Sequence, residues 1–491
     1  MKVLFLNPPF FPMYSRESRS PSVTKSSTLY WPMFLAYAAG SAEADGNEIL
    51  LLDAPAMDLG RDEVLDRAAE FGAEAAVLQT STPSIHNDVE VAAALKRRLP
   101  ALKTVLIGPH VSAEPVETLE MGDAADYVVV GEADRTVRDL IRSLRGDAGA
   151  VPAEELPGVA SRNAGGVRVN PEGPKIEDLD SLPWVSKVYD NHLHSCYRRY
   201  FYGANLNPIV VILAGRGCPF RCTYCVIPQT LMGHAYRKRS PKDVVDELEY
   251  IVAHFDPLGE VFFEDDTFTS DRKQTAAICE EILKRGLKLT WSANARADVP
   301  EELLLLMKKA GCRELCVGFE SASPEVLKNI RKGLPDGSQE KFVAAARRAG
   351  ILIHGCFMVG NKGDTKETLE ATLEFAKRLN TNTAQFYPIM AYPGTEAFAE
   401  LRATGRLKTT DWREWLDRNG FHNTTVVCDN LSSQELVDFC DRARREFYLR
   451  PGYVLRQVSV ALRNPKERYR LMRGFGTLVK HLFKRHGDAA K

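Results

Sequence analysis

Arg216-Gly217-Cys218-Pro219-Phe220-Arg221-Cys222-Thr223-Tyr224-Cys225 sets three cysteines at C-x3-C-x2-C spacing. The apolar, β-branched run just before it, 208–213, reads as a strand. Gly215 and Gly217 then let the backbone turn tightly. Three thiols therefore sit in one loop off a strand end. Thiolates so spaced can hold one soft metal centre. A structural zinc site usually wants four ligands, and a standard iron–sulfur cluster is closed by four cysteines. Three would leave one iron of a cube open to another molecule. Ordinary thiols, or part of a zinc site, are the competing reading.

Working outward, strands and helices alternate. Ser240 followed by Pro241 reads as a helix start. Val261-Phe262-Phe263 is a strand running into Glu264-Asp265-Asp266. Three adjacent carboxylates at a buried strand end need a cationic or hydrogen-bonding partner, or else they cap a helix N-terminus. Further strands are expected over 288–293, 313–317, 351–358 and 383–389. They lead into Asn294 and Arg296, Gly318-Phe319-Glu320-Ser321, Gly360-Asn361-Lys362-Gly363-Asp364-Thr365 and Tyr392-Pro393-Gly394-Thr395. Six strand–helix units in order predict a partial (β/α)6 barrel over 208–395, with its site at the C-terminal strand ends.

This loop resembles the cluster-binding loop of radical S-adenosylmethionine (radical SAM) enzymes, including the aromatic Tyr224 before the last cysteine. The resemblance implies a 4Fe-4S cluster on Cys218, Cys222 and Cys225 whose open iron chelates SAM. It implies reductive cleavage of SAM to methionine and a 5′-deoxyadenosyl radical, fed by an electron donor such as a flavodoxin or ferredoxin. Contacts to SAM are implied for Tyr224, for Glu264 or Asp265, for Arg296 through the SAM carboxylate, for Glu320, and for Gly360 beside the adenine. A surface ion pair for Arg296 and a purely structural Glu320 are the bland alternatives. Lys362 and Asp364 depart from the usual G-x-P-G-E-T pattern, which touches fine geometry rather than function.

Residues 1–145 alternate again, with strands over 3–6, 48–53, 75–79, 104–107 and 127–130 and helices between them. That order predicts a parallel, doubly wound, Rossmann-like sheet, whose ligands sit beyond the C-terminal strand ends. Those ends carry Pro8, Asp53, Thr80, Ser81, Gly108, Pro109, His110, Gly131 and Glu132. The arrangement resembles the cobalamin-binding domain that precedes many radical SAM barrels, which makes cobalamin a third candidate cofactor. The common motif D-x-H-x-x-G supplies a histidine to cobalt; here Asp53-Ala54-Pro55-Ala56-Met57-Asp58 has none. A domain that only shapes the substrate pocket remains the alternative.

Residues 146–207 read as a linker, with a hairpin around Ala164-Gly165-Gly166 and an aromatic, basic cluster from His192 to Tyr202. That cluster is either a substrate entrance or a packed crossover. Residues 396–491 read as helical. From Arg450 to Lys491 there are eleven Lys or Arg against two Asp or Glu, interleaved with apolar residues. A basic amphipathic helix can lie on an anionic membrane, or simply cap the domain. The 491 residues, 44% hydrophobic and 26% charged, are those of a folded, water-soluble protein of two or three domains. A net charge of −1 gives no pull towards nucleic acid. The short apolar start broken by Pro8-Pro9 is no signal peptide, and no apolar window reaches membrane-span length. The scattered remaining cysteines suit a reducing cytosol, with peripheral contact to the inner membrane face as an option.

The combination, with Phe447-Tyr448-Leu449-Arg450-Pro451, is most similar to radical SAM proteins of hopanoid and other lipid modification. The stretch from Pro228 to His234 resembles those linked to a cyclitol head-group on hopanoids. Rearrangement or cyclisation at an unactivated carbon of a lipid is therefore the expected reaction. Cobalamin-dependent C-methylation is the first alternative, and a non-catalytic corrinoid- or metal-binding protein the second.

Overall fold

The computed structural model describes residues 1–428, 431–468, 470–472 and 476. In the N-terminal half, strands β1 (Lys2–Asn7), β2 (Glu48–Asp53), β3 (Ala75–Gln79), β4 (Lys103–Ile107) and β5 (Tyr127–Val129) are parallel. They lie in the order β2-β1-β3-β4-β5, one of the two common doubly wound orders. Helices α1 (Met33–Ala44), α2 (Arg61–Phe71), α3 (Ile85–Arg98) and α4 (Ala133–Arg145) connect them. Pro32 takes the N-cap position of helix α1. The hairpin around Gly165 is present: β6 (Val159–Asn163) and β7 (Gly166–Val169) pair antiparallel and extend this sheet beyond β5.

The second sheet is β8 (Ile209–Ile212), β9 (Glu260–Phe263), β10 (Trp291–Ala295), β11 (Cys312–Glu320), β12 (Leu352–Val359) and β13 (Thr383–Pro388). All five pairings are parallel and follow chain order, so the strands form an open, partial barrel. Ile209, Val210, Val211 and Ile212 are all buried, as expected of a strand covered on both faces. Strand β10 begins at Trp291 rather than at residue 288, since Lys288 stays at the surface. Strand β11 outruns its expected length because it pairs on both sides, and a register shift near its end gives Glu320 a positive φ of 64°. Outside lie α5 (Val185–Leu193), α6 (Pro241–His254), α7 (Arg272–Arg285), α8 (Glu301–Lys309), α9 (Ser338–Ala349) and α10 (Lys366–Leu379). Helices α11 (Ser433–Tyr448) and α12 (Pro451–Arg463) close the barrel's far side. Most of the basic stretch from Leu471 to Lys484 lies outside the described residues.

The two sheets are locked together. Trp31 donates its indole N–H to the Ile209 carbonyl at 2.9 Å and stacks on Tyr200, ring centroids 3.8 Å apart. Asp134 holds Arg216 with two hydrogen bonds of 2.8 and 2.9 Å, and Glu132 holds Arg237 with two of 2.9 and 2.7 Å. All four side chains are buried. Arg216 and Arg237 belong to the short antiparallel pairing Gly215–Arg216 with Arg237–Lys238, which brackets the cysteine loop. Among the described residues, no helix is long and apolar enough to cross a membrane.

Candidate active site: a thiol loop at the mouth of the barrel

The loop's shape follows from its neighbours. Gly217 has φ +86°, and a Cβ there would meet the Ala235 carbonyl oxygen at 2.2 Å, so only glycine fits. Gln229 spreads its amide over the carbonyls of Cys222, Thr223 and Cys225 at 3.2, 3.3 and 2.9 Å. His234 donates from Nδ1 to the carbonyls of Cys218 and Phe220, both at 3.1 Å. Cys218, Cys222 and Cys225 all face one cavity of about 1470 Å³. Their sulfurs do not converge within 4.8 Å of one another as donors to a single ion do; a cube with one cysteine per iron needs that wider spread. Burial pushes the Cys218 thiol up and the Cys225 thiol well up, so ligation of iron would release protons. These residues fit a three-ligand cluster with one corner turned to the cavity.

The carboxylates after β9 divide. Asp265 turns away: it accepts from the Ala214 amide at 2.9 Å and the Tyr236 hydroxyl at 3.1 Å, and burial raises its pKa to about 7. Glu264 and Asp266 line the cavity. Arg19, from the loop after β1, pairs with Glu264 and lies 3.5 Å from Asp266. Burial raises both carboxyls, while Arg19 pulls both down. Oε2 of Glu264 is buried without a partner, and a buried orphan acceptor is costly until a donor arrives. Between Glu264 and Asp265, then, the geometry favours Glu264 as the acceptor for a cationic ligand group.

Tyr224 donates to Oε1 of Glu320 at 3.0 Å, Lys332 pairs with the same oxygen at 2.7 Å, and Tyr387 reaches Oε2 at 3.4 Å. Burial opposes the Lys332 charge, but Glu320 outweighs it and raises the pKa. Glu320 and Tyr224 thus meet at the cavity wall, partnered to each other. Arg296 is held mainly by backbone carbonyls and an aromatic ring. Its Nη2 donates to the carbonyls of Lys332 and Gly333 at 2.8 and 3.1 Å, and its guanidinium lies 3.6 Å over the Phe220 ring. Its Nε lies 3.5 Å from the Asp298 carboxylate, a local ion pair, while Arg296 also lines the cavity. At Gly360, beside the cavity lining, a Cβ would meet Leu436 of α11 at 2.8 Å. Asp364 instead caps the turn, accepting from the Asn361 amide and the Thr368 hydroxyl. Arg19, Lys332 and Tyr387 escaped sequence reading. Each comes from a segment whose only signal is its placement in space.

At the N-terminal sheet, the strand ends form a closed polar layer. Asp53 accepts from Asn7 at 2.8 Å and Tyr200 at 2.7 Å, and burial raises its pKa to about 6. The Pro8 carbonyl accepts from Arg16, which is paired with Asp88 at 2.8 Å; Ser81 bonds Tyr14, and Thr80 donates to the Ile107 carbonyl. Gly108 has φ +123° with Thr80 packed against it, and Gly131 lies under Glu172. Pro109 opens the short helix Pro109–Ala113, and Glu132 is spent on Arg237. His110 is fully buried beneath Trp412, and burial drives its pKa down to about 3. Two groups stand unsatisfied here: both polar atoms of Gln79 and Nε2 of His110 are buried without partners. They sit at the ends of neighbouring strands, where a ligand edged with amides would pair them. That donor set suits a corrinoid, with Trp412 standing across the approach.

Residues 21–141 match the B12 binding domain family, and residues 212–376 match the Radical SAM superfamily. A protein of Pyrococcus horikoshii named as an uncharacterized methyltransferase is 29% identical, over 93% of this chain and 95% of its own. An anaerobic magnesium-protoporphyrin IX monomethyl ester cyclase of Rubrivivax gelatinosus is 27% identical, over 92% and 78%. A hopanoid C-3 methylase of Methylococcus capsulatus is 26% identical, over 78% and 70%. Among solved structures, the radical S-adenosylmethionine methyltransferase TsrM of Kitasatospora setae superposes with a TM-score of 0.71 at 19% identity, covering 92% of this chain and 90% of that one, and shares its fold. Over these two spans the chain carries a B12-binding domain followed by a radical SAM domain.

Proposed function

We propose that this protein is a cobalamin-dependent radical SAM C-methyltransferase acting on an unactivated carbon of a large, mostly apolar substrate. The observation that carries the reading is the shared cavity: three thiols with no fourth protein ligand assigned, and the unpaired Glu264 oxygen aimed at the same space. Cys218, Cys222 and Cys225 would hold the cluster, which when bound supplies the electron for SAM cleavage. Glu264 would take the SAM amino group, and Tyr224 with Glu320 and Lys332 would fix the wall beside it. Gln79, His110 and the backbone at Gly108 would hold the corrinoid, which when bound supplies the methyl group. Two of the three relatives named above are methyltransferases by name. The head-group rearrangement rested on Pro228 to His234, and Gln229 and His234 there hold the cysteine loop rather than facing the cavity.

The substrate side favours a lipid. Phe201, Tyr202, Phe262 and Phe386 line the cavity, which reaches Val454 and Val458 on α12. Val454, Leu455, Val458 and Leu462 of that helix are exposed, and such a face beside basic residues suits docking to an anionic membrane. A hopanoid is one such lipid. Anaerobically reconstituted protein with reductant and SAM should release 5′-deoxyadenosine, and Cys222→Ala should not. Lipid extracts of a deletion strain should lack a methyl group; an unmethylated, rearranged head-group missing instead would return the reaction to rearrangement.

A further inference from the structure

Strands β11 and β12 put a second set of soft ligands inside the barrel. Cys316 pairs in register with His354, and Gly318 with Cys356. Residues two apart on a strand share a face, so Cys316, His354 and Cys356 all point into the lumen, and all line the cavity. Each is half-buried, while Val317, Ile353 and Phe357 between and beside them are buried against the helices. Their donor atoms lie within 4.8 Å of one another, and among the described residues this is the trio of such side chains that converges so closely.

The spacing identifies the chemistry. The Cys316 and Cys356 sulfurs are 3.7 Å apart. A disulfide would need about 2 Å. Two thiolates on one tetrahedral zinc, each about 2.3 Å from the metal, lie roughly 3.75 Å apart. The His354 ring is held through Nδ1 by the Thr383 hydroxyl at 2.7 Å, the kind of outer contact that fixes a ligating imidazole. We infer that Cys316, Cys356 and His354 form a mononuclear zinc-type site, separate from the thiol loop. Two sulfurs and one nitrogen select zinc among common divalent ions. Three protein ligands leave the fourth position turned to the cavity, where it would take water or an oxygen donor such as a substrate hydroxyl or carboxylate. Only that last clause rests on the proposed enzymatic function; metal binding does not.

The test uses full-length protein with its iron–sulfur cluster already assembled, so that the loop cysteines are occupied, and zinc chloride as probe. After anaerobic loading and desalting, wild type should retain about one zinc per chain. Cys316→Ala and Cys356→Ala should each lose at least tenfold of that zinc with iron unchanged. Cobalt(II) in place of zinc should give wild type the thiolate charge-transfer and tetrahedral ligand-field bands, a readout that needs no variant to fold. Zinc counts report this site and iron counts the thiol loop, so each reading can fail alone. Absence of retained zinc in wild type overturns the inference, as does zinc indifferent to both substitutions. A Cys316–Cys356 disulfide recovered from anaerobically alkylated protein overturns it too and makes the pair a redox couple.

Discussion

Replacing Asp134 by asparagine removes one charge from the contact that ties the N-terminal sheet to the cysteine loop. Arg216 then keeps its size and one acceptor but loses its bidentate partner, with side chains only 2% and 5% exposed. Opposite charges about 4 Å apart at an effective dielectric near 20 attract by about 4 kcal/mol. Glu132, 3.6 Å from Arg216 but shared with Arg237, offsets part of the loss. The net cost should be about 2–3 kcal/mol, at the low end for a broken buried pair. If that energy governs local opening, amides in 215–218 and 236–238 should exchange roughly 30- to 150-fold faster by hydrogen-exchange mass spectrometry. The double substitution Asp134→Leu with Arg216→Met should recover most of the protection, because an apolar pair of similar volume carries no desolvation penalty. Exchange within threefold of wild type in Asp134→Asn, or a double variant worse than the single, would refute the reasoning that this pair clamps the loop.

Other outcomes follow from the same geometry. Gly217→Ala meets both a left-handed φ and a backbone oxygen at 2.2 Å, so reconstituted protein should carry less than about a tenth of the wild-type iron. Asp265 has its pKa raised by burial to about 7 from an ordinary value of 3.8. The folded state therefore holds a proton that the unfolded state has released, and stability should fall as pH rises from about 4 through 7. Asp265→Asn should flatten that fall in thermal midpoints measured across the window; an unchanged slope would assign it elsewhere. Trp412→Ala should speed uptake of added cobalamin, followed by its absorbance, since Trp412 stands edge-on over His110; slower uptake would mean the ring belongs to the site itself.

Much of the framework was legible because its strands are short apolar runs ending in glycine, proline or acidic residues. Residues 48–53 and 75–79 were placed to the residue. The thiol loop was legible because cysteine spacing is local. The surroundings of Arg296 and Gly360 were not, since they depend on which way a loop turns; Arg296 packs on Phe220 and Gly360 is roofed by Leu436. Arg19 lies in a serine-rich stretch without periodicity and reaches Glu264 across 245 residues of sequence. Glu132 reads as a ligand-facing strand end but meets Arg237, a pairing that exists only once the two sheets are together. Local pattern carries secondary structure; charge partners are decided by topology.

The cavity wall draws on Ser18 to Tyr30 and then on Phe201 to Met472, so it closes only once both ends of that span are made. On a ribosome adding about 5–20 residues per second, synthesis takes roughly half a minute to a minute and a half. In the second half of that interval the cysteine loop leaves the ribosome while its roof, α11 and α12, is still being made. The thiols are then bare to oxygen and to stray metal. Iron and sulfide must be delivered to a finished polypeptide, or to one guarded until its last hundred residues arrive.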